Sequence, residues 1–339
     1  MKDKTKSIWA WFPVTLLTAL FCCVLWGSAT PAIKIAYKLF EIGPDDTASR
    51  IMLAGARFFL AGIMTIGFGS LLSRKVLIPE SGSFKYIAVL AAFQTVGQYF
   101  FFFMALSHIA GVRGAIINSA GSFFAILVAA YIFHFEKFTI RKLIGCLAGF
   151  AGIIIILGGF SLFGAGASGT VTEASSQVAG LFSGGITLQG EGAMLLATVF
   201  YALSSCCIKI YSQKENPVTL SGYQFLLGGT VLFTVGYFMG GMLIFRSLSC
   251  VLNLVYMGFI SAGAYTLWGV LLKHNPVSRV SILGFMNPVM GVLLSALFLG
   301  ENREAFSLSG LIALLLVVAG IIIVNTEKTS DTSKSKRKK

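Results

Sequence analysis

The chain has 339 residues, of which 56% are hydrophobic and only 12% are charged, and its formal net charge is +13. A soluble domain carries about 25% charged residues, so this composition excludes an ordinary soluble fold. The apolar residues occur in long runs and not in short alternating segments, which excludes an outer-membrane β-barrel and indicates a polytopic α-helical membrane protein.

Ten apolar windows follow one another along the chain, each close to the length that a membrane-spanning helix needs. A Gly-, Ser- and Thr-rich segment, 161–189, separates the fifth window from the sixth and predicts an extracytoplasmic loop. The sequence therefore predicts an all-α polytopic membrane protein with ten transmembrane helices in two groups of five. The windows are 12–35, 51–72, 84–106, 113–133, 143–160, 192–210, 219–240, 250–272, 280–299 and 306–324.

Charge in the connecting segments predicts the orientation. With residues 1–11 as a cytoplasmic tail, nineteen of the 26 lysines and arginines fall on the inner side and five on the outer side. This is the positive-inside bias, so we expect both termini in the cytoplasm and a multi-pass protein of the cell (plasma) membrane. The same bias accounts for the basic tail 326–339, which we interpret as an anchor near anionic lipid and not as a nucleic-acid site.

Nothing in the sequence indicates a metal, a cofactor or a catalytic centre. The six cysteines lie within or at the edge of apolar windows and lack the spacing of Cys-x-x-Cys or Cys/His metal sites. A catalytic constellation at one membrane depth, such as an aspartate pair, His-rich metal spacing or Gly-x-Ser-x-Gly, is also missing from the sequence. We therefore expect no cofactor, no metal and no enzyme activity.

Short matches recur in the same order in both halves, which indicates a duplication. Because each half has an odd number of helices, the second copy must be inserted upside down, as in transporters with inverted repeats. The predicted repeats cover 12–160 and 190–325. The matched pairs are Ile33-Lys34-Ile35 with Ile208-Lys209-Ile210, Ala56-Arg57-Phe58 with Tyr223-Gln224-Phe225, and Glu136 with Glu301.

These motifs carry a family resemblance. The order Trp-Gly-Ser-x-x-Pro-x-Ile-Lys over 26–34, then Arg57-Phe58, then a helix closed by Glu136, resembles the EamA-type branch of the drug/metabolite transporter superfamily over about 12–325. The resemblance implies a ten-helix carrier, and many such carriers export amino acids and other metabolites. One departure is that the second half has Pro288 in the helix before its glutamate, whereas the first half has Gly121 there, so helix 4 should bend less or bend at Gly121.

Polar and aromatic residues at mid-depth in both halves are candidates for the lining of a central substrate cavity. Polar side chains inside a span are costly unless they face water or a partner. Gln94 and Gln98 are four residues apart and share a helix face. Hydrogen bonds between helices, aromatic interface belts and plain packing are the alternatives. The candidates are Trp26, Thr30, Gln94, Gln98, Asn118, Tyr201, Ser205, Tyr265, Trp268 and Asn287.

Arg57 is the deepest cation in the apolar windows, and with Lys34 it forms a possible anion clamp. Arg57 has two interpretations: a structural role in which it caps carbonyls or extends to the interface, and a clamp for a substrate carboxylate. Helix 2 is similar to a scaffold helix in the family pattern, which favours the structural role. Lys34 and Lys209 stand near helix ends, where a long side chain can reach the interface.

Carboxylates are missing from the predicted spans, and Glu191 at the start of helix 6 is the nearest. This disfavours proton coupling through a buried carboxylate. We therefore predict an exporter of small metabolites or amino acids that works by alternating access, as a monomer or homodimer, with a small-molecule substrate, the lipid bilayer and no nucleic acid as partners. The alternatives are a nucleotide-sugar or phosphate-ester exchanger of the same superfamily and a non-transporting membrane scaffold.

Overall fold

The computed structural model describes residues 8–43, 45–106, 108, 117–156, 187–299 and 308–326. Most of the predicted loop 161–189, the tail beyond residue 326 and Glu301 lie outside these ranges. Within them, all regular secondary structure is helical. Six helices of 22 to 28 residues are long and apolar enough to cross a membrane, and shorter apolar helices accompany them. The chain is thus a polytopic α-helical membrane protein.

We number ten helical stretches within the described ranges. The six long apolar helices are α1, α2, α3, α6, α7 and α8. The bounds are α1 Phe12–Leu39, α2 Thr47–Ser73, α3 Ser81–Leu106, α4 Ile117–Ile132, α5 Ile140–Ile156, α6 Leu188–Tyr211, α7 Pro217–Phe238, α8 Leu248–His274, α9 Val277–Ser281 with Ile282–Phe285 and Met286–Leu299, and α10 Leu308–Asn325.

Local sequence signals fix several helix ends. The side chain of Asp46 accepts a hydrogen bond of 2.9 Å from the backbone N–H of Ser49 and so caps the start of α2. Asn216 caps α7 in the same way, with Pro217 in the first turn, where its missing N–H costs nothing. Arg74 adopts a left-handed conformation (φ 52°) and ends α2.

Helices α2 and α7 pack backbone against backbone. A Cβ added to Gly55 would lie 2.2 Å from the nitrogen of Phe233, and one added to Gly229 would lie 2.3 Å from the nitrogen of Phe59. Small residues at such positions allow the close approach of membrane helices.

The pair α5 and α10 is built on the same principle. A Cβ on Gly145 would lie 2.4 Å from Cγ2 of Val324, and a Cβ on Gly320 would lie 2.5 Å from the carbonyl oxygen of Gly145. The sequence carries Gly145-x-x-x-Gly149 in α5, and both glycines lie at the contact with Gly320 of α10.

The other large contacts also join the two halves of the chain. Helix α1 packs on α8 and α9, and α6 packs on α3 and α4. Helix α2 further contacts α8, and α7 contacts α3.

Contacts at the helix ends define two ends of the bundle. At one, which we call the Asn275 end, Asn275 Nδ2 donates to the carbonyl of Trp9 before α1, and Lys209 at the end of α6 donates to the carbonyl of Asn275. At the other, the Arg50 end, Ser49 at the start of α2 accepts a bond of 2.9 Å from the N–H of Met242 beyond α7. Helix α1 therefore starts at the end where α6 finishes.

Two helices depart from regular α geometry where the sequence predicts a difference between the halves. Helix α4 is interrupted at Ala120, directly before Gly121. Helix α9 contains a 3-10 segment, Ile282–Phe285, just before Pro288, whose missing N–H leaves an α-helical hydrogen bond unmade. The irregularity in α4 therefore lies next to Gly121, and the one in α9 lies just before Pro288.

Candidate functional site

Aromatic side chains from four helices meet inside the bundle. Tyr265 of α8 is buried, and its hydroxyl is hydrogen-bonded to that of Tyr99 of α3. The ring of Trp26 from α1 stands edge-on to Tyr265 at 5.1 Å and to Trp268 at 5.0 Å between centroids. Phe58 from α2 lies 4.5 Å from Tyr99. We call these five residues the aromatic cluster.

Edge-to-face contacts of this kind stabilise each pair by about 0.5–1.5 kcal/mol beyond their buried area. They bring together side chains that are up to 242 positions apart, from Trp26 to Trp268. The cluster includes three of the predicted cavity residues, Trp26, Tyr265 and Trp268.

Helix α6 adds two more predicted residues next to the aromatic cluster. Tyr201 packs against the buried hydrophobic core that contains Trp268. The Ser205 hydroxyl also donates a bond of 2.9 Å to the carbonyl of Tyr201. Both halves of the chain therefore contribute side chains to the same region.

Some buried polar atoms in this region have no hydrogen-bond partner among the described residues. They include Nε1 of Trp26 and Oε1 of Gln98, both fully enclosed. Buried donors and acceptors normally find partners, so unpartnered ones near a cluster of side chains from several helices are candidates for contacts with a ligand.

Gln94 has a different environment from Gln98, although the two are neighbours on α3. Gln224 of α7 donates a bond of 2.7 Å to Oε1 of Gln94 and accepts one of 3.0 Å from Thr95. This buried network links α3 to α7, so the Gln94 carbonyl is occupied by a protein partner.

The remaining predicted residues show no ring contact or hydrogen bond to the aromatic cluster among the described side chains. Asn118 in α4 and Asn287 in α9 are half-buried, and Lys34 is exposed near the end of α1. Thr30 belongs to α1, and its side chain lies outside the described part of the structure.

Arg57 is buried in α2 with 4% of its surface exposed. Its guanidinium carbon stands 4.7 Å from the centroid of the Phe58 ring and 5.5 Å from that of Tyr99. Its Nε is enclosed and has no hydrogen-bond partner among the described residues. Arg57 thus lies against the aromatic cluster.

Sequence reasoning missed the role of Asn275. Its side chain donates to Trp9, accepts from Thr15 at 3.4 Å, and its carbonyl accepts from Lys209. The signal was present, since Asn-Pro after a long apolar run marks the junction of two helices. We call this group of contacts, together with Glu136 and Ser278, the Asn275 seal.

Glu136 completes the Asn275 seal. Its carboxylate accepts 2.6 Å from Nζ of Lys142 and 2.9 Å from the backbone N–H of Ser278 in the first turn of α9. A carboxylate at a helix start interacts favourably with the helix dipole. The seal therefore joins the ends of α4, α6 and α8 to the starts of α1, α5 and α9.

Two open clefts flank the Asn275 seal, with volumes of about 360 and 610 Å³. They share Gln213, Lys214 and Lys273, and Lys209 lines the larger cleft. The lysines make this end of the bundle basic.

Glu191 lies inside the first turn of α6, because the helix starts a few residues earlier than its apolar window. Its carboxylate accepts hydrogen bonds of 2.9 and 2.7 Å from the backbone N–H and the hydroxyl of Thr187.

Among the described residues no group of three His, Cys, Asp or Glu is placed to hold a metal ion. The six cysteines are buried free thiols.

The comparisons with known proteins agree on the type of protein. The model of the EamA-like transporter family matches residues 13–158 and 188–326. A "Probable amino-acid metabolite efflux pump" of Salmonella typhimurium is 26% identical, with 90% of this chain and 92% of the relative covered. Its namesake in Escherichia coli is 23% identical over 90% of this chain and 92% of the relative.

Other similarities are consistent with these. A WAT1-related chloroplastic protein of Arabidopsis thaliana is 23% identical, covering 90% of this chain and 68% of its own length. One solved crystal structure superposes with a TM-score of 0.68 at 19% identity, over 92% of this chain and 98% of that chain. This last similarity establishes a shared fold.

Proposed function

Since the chain belongs to the EamA-like transporter family, we propose that it exports small metabolites or amino acids by alternating access, with the substrate held beside the aromatic cluster. The observation that carries this proposal is the convergence of Trp26, Tyr99 and Tyr265 from α1, α3 and α8, with Tyr201 of α6 packed against the core that contains Trp268. Ligand sites are mostly apolar and aromatic, with a few polar groups that fix orientation, and this cluster has that composition.

We further propose that the chain consists of two inverted repeats, 12–160 and 190–325, each with five transmembrane helices. The pattern of packing supports this proposal, because exchanging the helices of one half for those of the other leaves it unchanged. The α1–α8 contact becomes α6–α3, and α1–α9 becomes α6–α4, while α2–α7 and α5–α10 map onto themselves. The opposite directions of α1 and α6 also support it.

The proposed location is the cell membrane, with both termini and the Asn275 end in the cytoplasm. Support comes from the lysines at this end, Lys209, Lys214 and Lys273, which follow the positive-inside rule. Export by rocking of the halves then requires the Asn275 seal to open toward the cytoplasm. The proposed partners are the substrate and the bilayer, with the protein as a monomer or homodimer.

The names of the bacterial relatives favour amino-acid metabolites as the substrate class. A phosphate-ester exchanger of the same superfamily needs several cations around its ligand. In the described part of the chain only Arg57 adjoins the aromatic cluster, and the lysines lie at the bundle end. The exporter is therefore the better-supported proposal.

The test is efflux from cells that express the protein and are preloaded with a mixed pool of amino acids and metabolites. We expect selective loss of one class of compound, and we expect this loss to survive a protonophore. Replacement of Tyr265 by Ala should abolish it, whereas Arg246→Gln, in an exposed ion pair with Glu41, should not. Loss of no compound from the wild-type cells would favour the scaffold alternative, and loss abolished by the protonophore would contradict uncoupled transport.

A further inference from the structure

We propose that Arg57 is the anchor for a substrate carboxylate, so that the transported compounds are monocarboxylates with an apolar or aromatic group. This inference rests on the proposed transport function and names its substrate class. It assigns recognition of the substrate's negative charge to one side chain, that of Arg57.

Arg57 carries a buried charge that no described residue compensates. Arg57 is 96% buried, and a guanidinium stays protonated in proteins. Phe58 and Tyr99 offer it their ring faces, which attract a cation but accept no N–H···O hydrogen bond in the ordinary sense. Among the described residues it has no carboxylate partner and no hydrogen-bond acceptor. Such a charge is costly unless an anion pairs with it.

The other well-buried cations of the described chain offer a comparison. Arg50 donates 3.2 Å to the carbonyl of Gly43. Lys142 donates to the Glu136 carboxylate and to the carbonyl of Lys137. Lys209, half-buried, donates to the carbonyl of Asn275. Each of these three cations has an oxygen partner, and Arg57 has none within the described ranges.

The residue that matches Arg57 in the second half is an uncharged glutamine. Gln224 occupies the position in α7 that Arg57 occupies in α2, and its amide is satisfied by Gln94 and Thr95. The second half thus uses this position to join helices. The first half places a charge there that has no acceptor in the described part of the chain, which favours a ligand over a scaffold role.

Arg57 also lies next to the aromatic cluster. A carboxylate bound by the guanidinium would leave the rest of the molecule beside Tyr99 and Tyr265, whose hydroxyls can share in polar contacts. Arg50 lies two turns away on the same face of α2, toward the Arg50 end, and also faces a tyrosine ring, that of Tyr37 at 4.9 Å. A released anion would meet this second arginine on its way out.

The experiment compares amino acids with their carboxamides, in which an uncharged amide replaces the carboxylate. Purified full-length protein is titrated with L-phenylalanine and L-leucine and with phenylalaninamide and leucinamide, and binding is followed by tryptophan fluorescence. We expect the wild-type protein to bind the acids at least tenfold more tightly than the amides, a difference of about 1.4 kcal/mol. We expect Arg57→Gln to remove this preference, Arg57→Lys to retain part of it, and the surface control Arg246→Gln to retain all of it.

Equal binding of acid and amide by the wild-type protein would overturn the inference, and so would an unchanged preference in Arg57→Gln or the absence of binding of either pair. The wild-type comparison needs no variant, so a misfolded Arg57→Gln would leave the inference testable. If the acids bind with the expected preference but are not exported by cells, the anchor stands and the transport proposal fails.

Discussion

Glu136, beyond the end of α4, accepts a hydrogen bond of 2.9 Å from the backbone N–H of Ser278, in the first turn of α9. The same carboxylate pairs with Lys142 in α5 at 2.6 Å, and both side chains are largely buried, 13% and 8% exposed. One acidic group thus joins the two halves of the chain at the Asn275 end. This relationship gives Glu136 a structural explanation for its position at the close of an apolar window.

We expect Glu136→Gln to destabilise the protein, because it leaves the buried Lys142 ammonium without a counter-charge. Breaking a buried ion pair costs about 3–5 kcal/mol. The measurement is the thermal unfolding of the purified protein in detergent. In the double variant Glu136→Gln/Lys142→Met both charges are gone, so we expect its melting temperature to lie above that of Glu136→Gln. A double variant less stable than the single one would contradict this explanation.

The hydroxyl pair of Tyr99 and Tyr265 should behave as one unit. Tyr99→Phe leaves the buried hydroxyl of Tyr265 without its partner, and Tyr265→Phe leaves the half-buried hydroxyl of Tyr99. A buried unsatisfied hydroxyl costs about 1–3 kcal/mol. The double variant removes both groups, so its loss of stability should be clearly smaller than the sum of the single losses. Melting temperatures of the four proteins measure this coupling, and strict additivity would show that the hydroxyls do not depend on each other.

Two glycines in α2 provide a matched pair for testing the α2–α7 contact. A methyl group on Gly55 would overlap the backbone of Phe233, whereas nothing lies within 4 Å of the corresponding point on Gly67. We expect Gly55→Ala to destabilise by about 1–3 kcal/mol. Gly67→Ala should be neutral or stabilising by up to about 1 kcal/mol, because alanine favours helix. Similar melting temperatures for the two variants would show that α2 and α7 leave room for a methyl group at Gly55.

Glu215, in the turn between α6 and α7, should make stability depend on pH. Its partial burial opposes ionisation, but the N–H groups of Glu80 and Asn216, the Ser83 hydroxyl and Lys273 outweigh it and lower the carboxyl pKa below its ordinary value of 4.5. The carboxylate therefore stabilises the fold fully above pH 4.5, and this contribution is lost as the pH falls through the folded-state pKa.

Melting temperatures of the wild type and of Glu215→Gln across this range measure that contribution. The two should differ at neutral pH and approach each other in acid. Glu80→Gln is the control, since its backbone N–H still donates to Glu215. A constant difference between wild type and Glu215→Gln at every pH would refute the assignment.

Sequence alone was sufficient for the class of protein, for the positions of most helices and for the small-residue face of α5. Long apolar runs define spans directly, and Gly145-x-x-x-Gly149 is a signal that is local to one helix. Helix α6 starts a few residues before its predicted apolar window. The reason is that the Glu191 carboxylate accepts hydrogen bonds from the backbone N–H and the hydroxyl of Thr187.

Contacts between helices could not be predicted in the same way. Helical periodicity places Gln94 and Gln98 on one face, but it does not identify which helix lies opposite each amide. Gln94 meets Gln224, whereas the carbonyl of Gln98 meets no partner among the described residues. The depth of Arg57 was readable from the sequence. That its Nε meets no acceptor in the described part of the chain was not, because this depends on the neighbouring helices.

The closest helix pairs have a consequence for how the protein is made. Helix α2 packs on α7, α5 packs on α10, and α1 packs on α8, so each of these helices of the first half has its partner in the second half. A ribosome that has finished the first five helices has therefore inserted spans whose small-residue faces still meet lipid. Association of inserted helices is a separate, later stage in membrane proteins, and the final packing of this chain must wait for its second half to emerge. Two half-chains made separately in the same membrane should consequently find each other, since neither can satisfy its own interfaces.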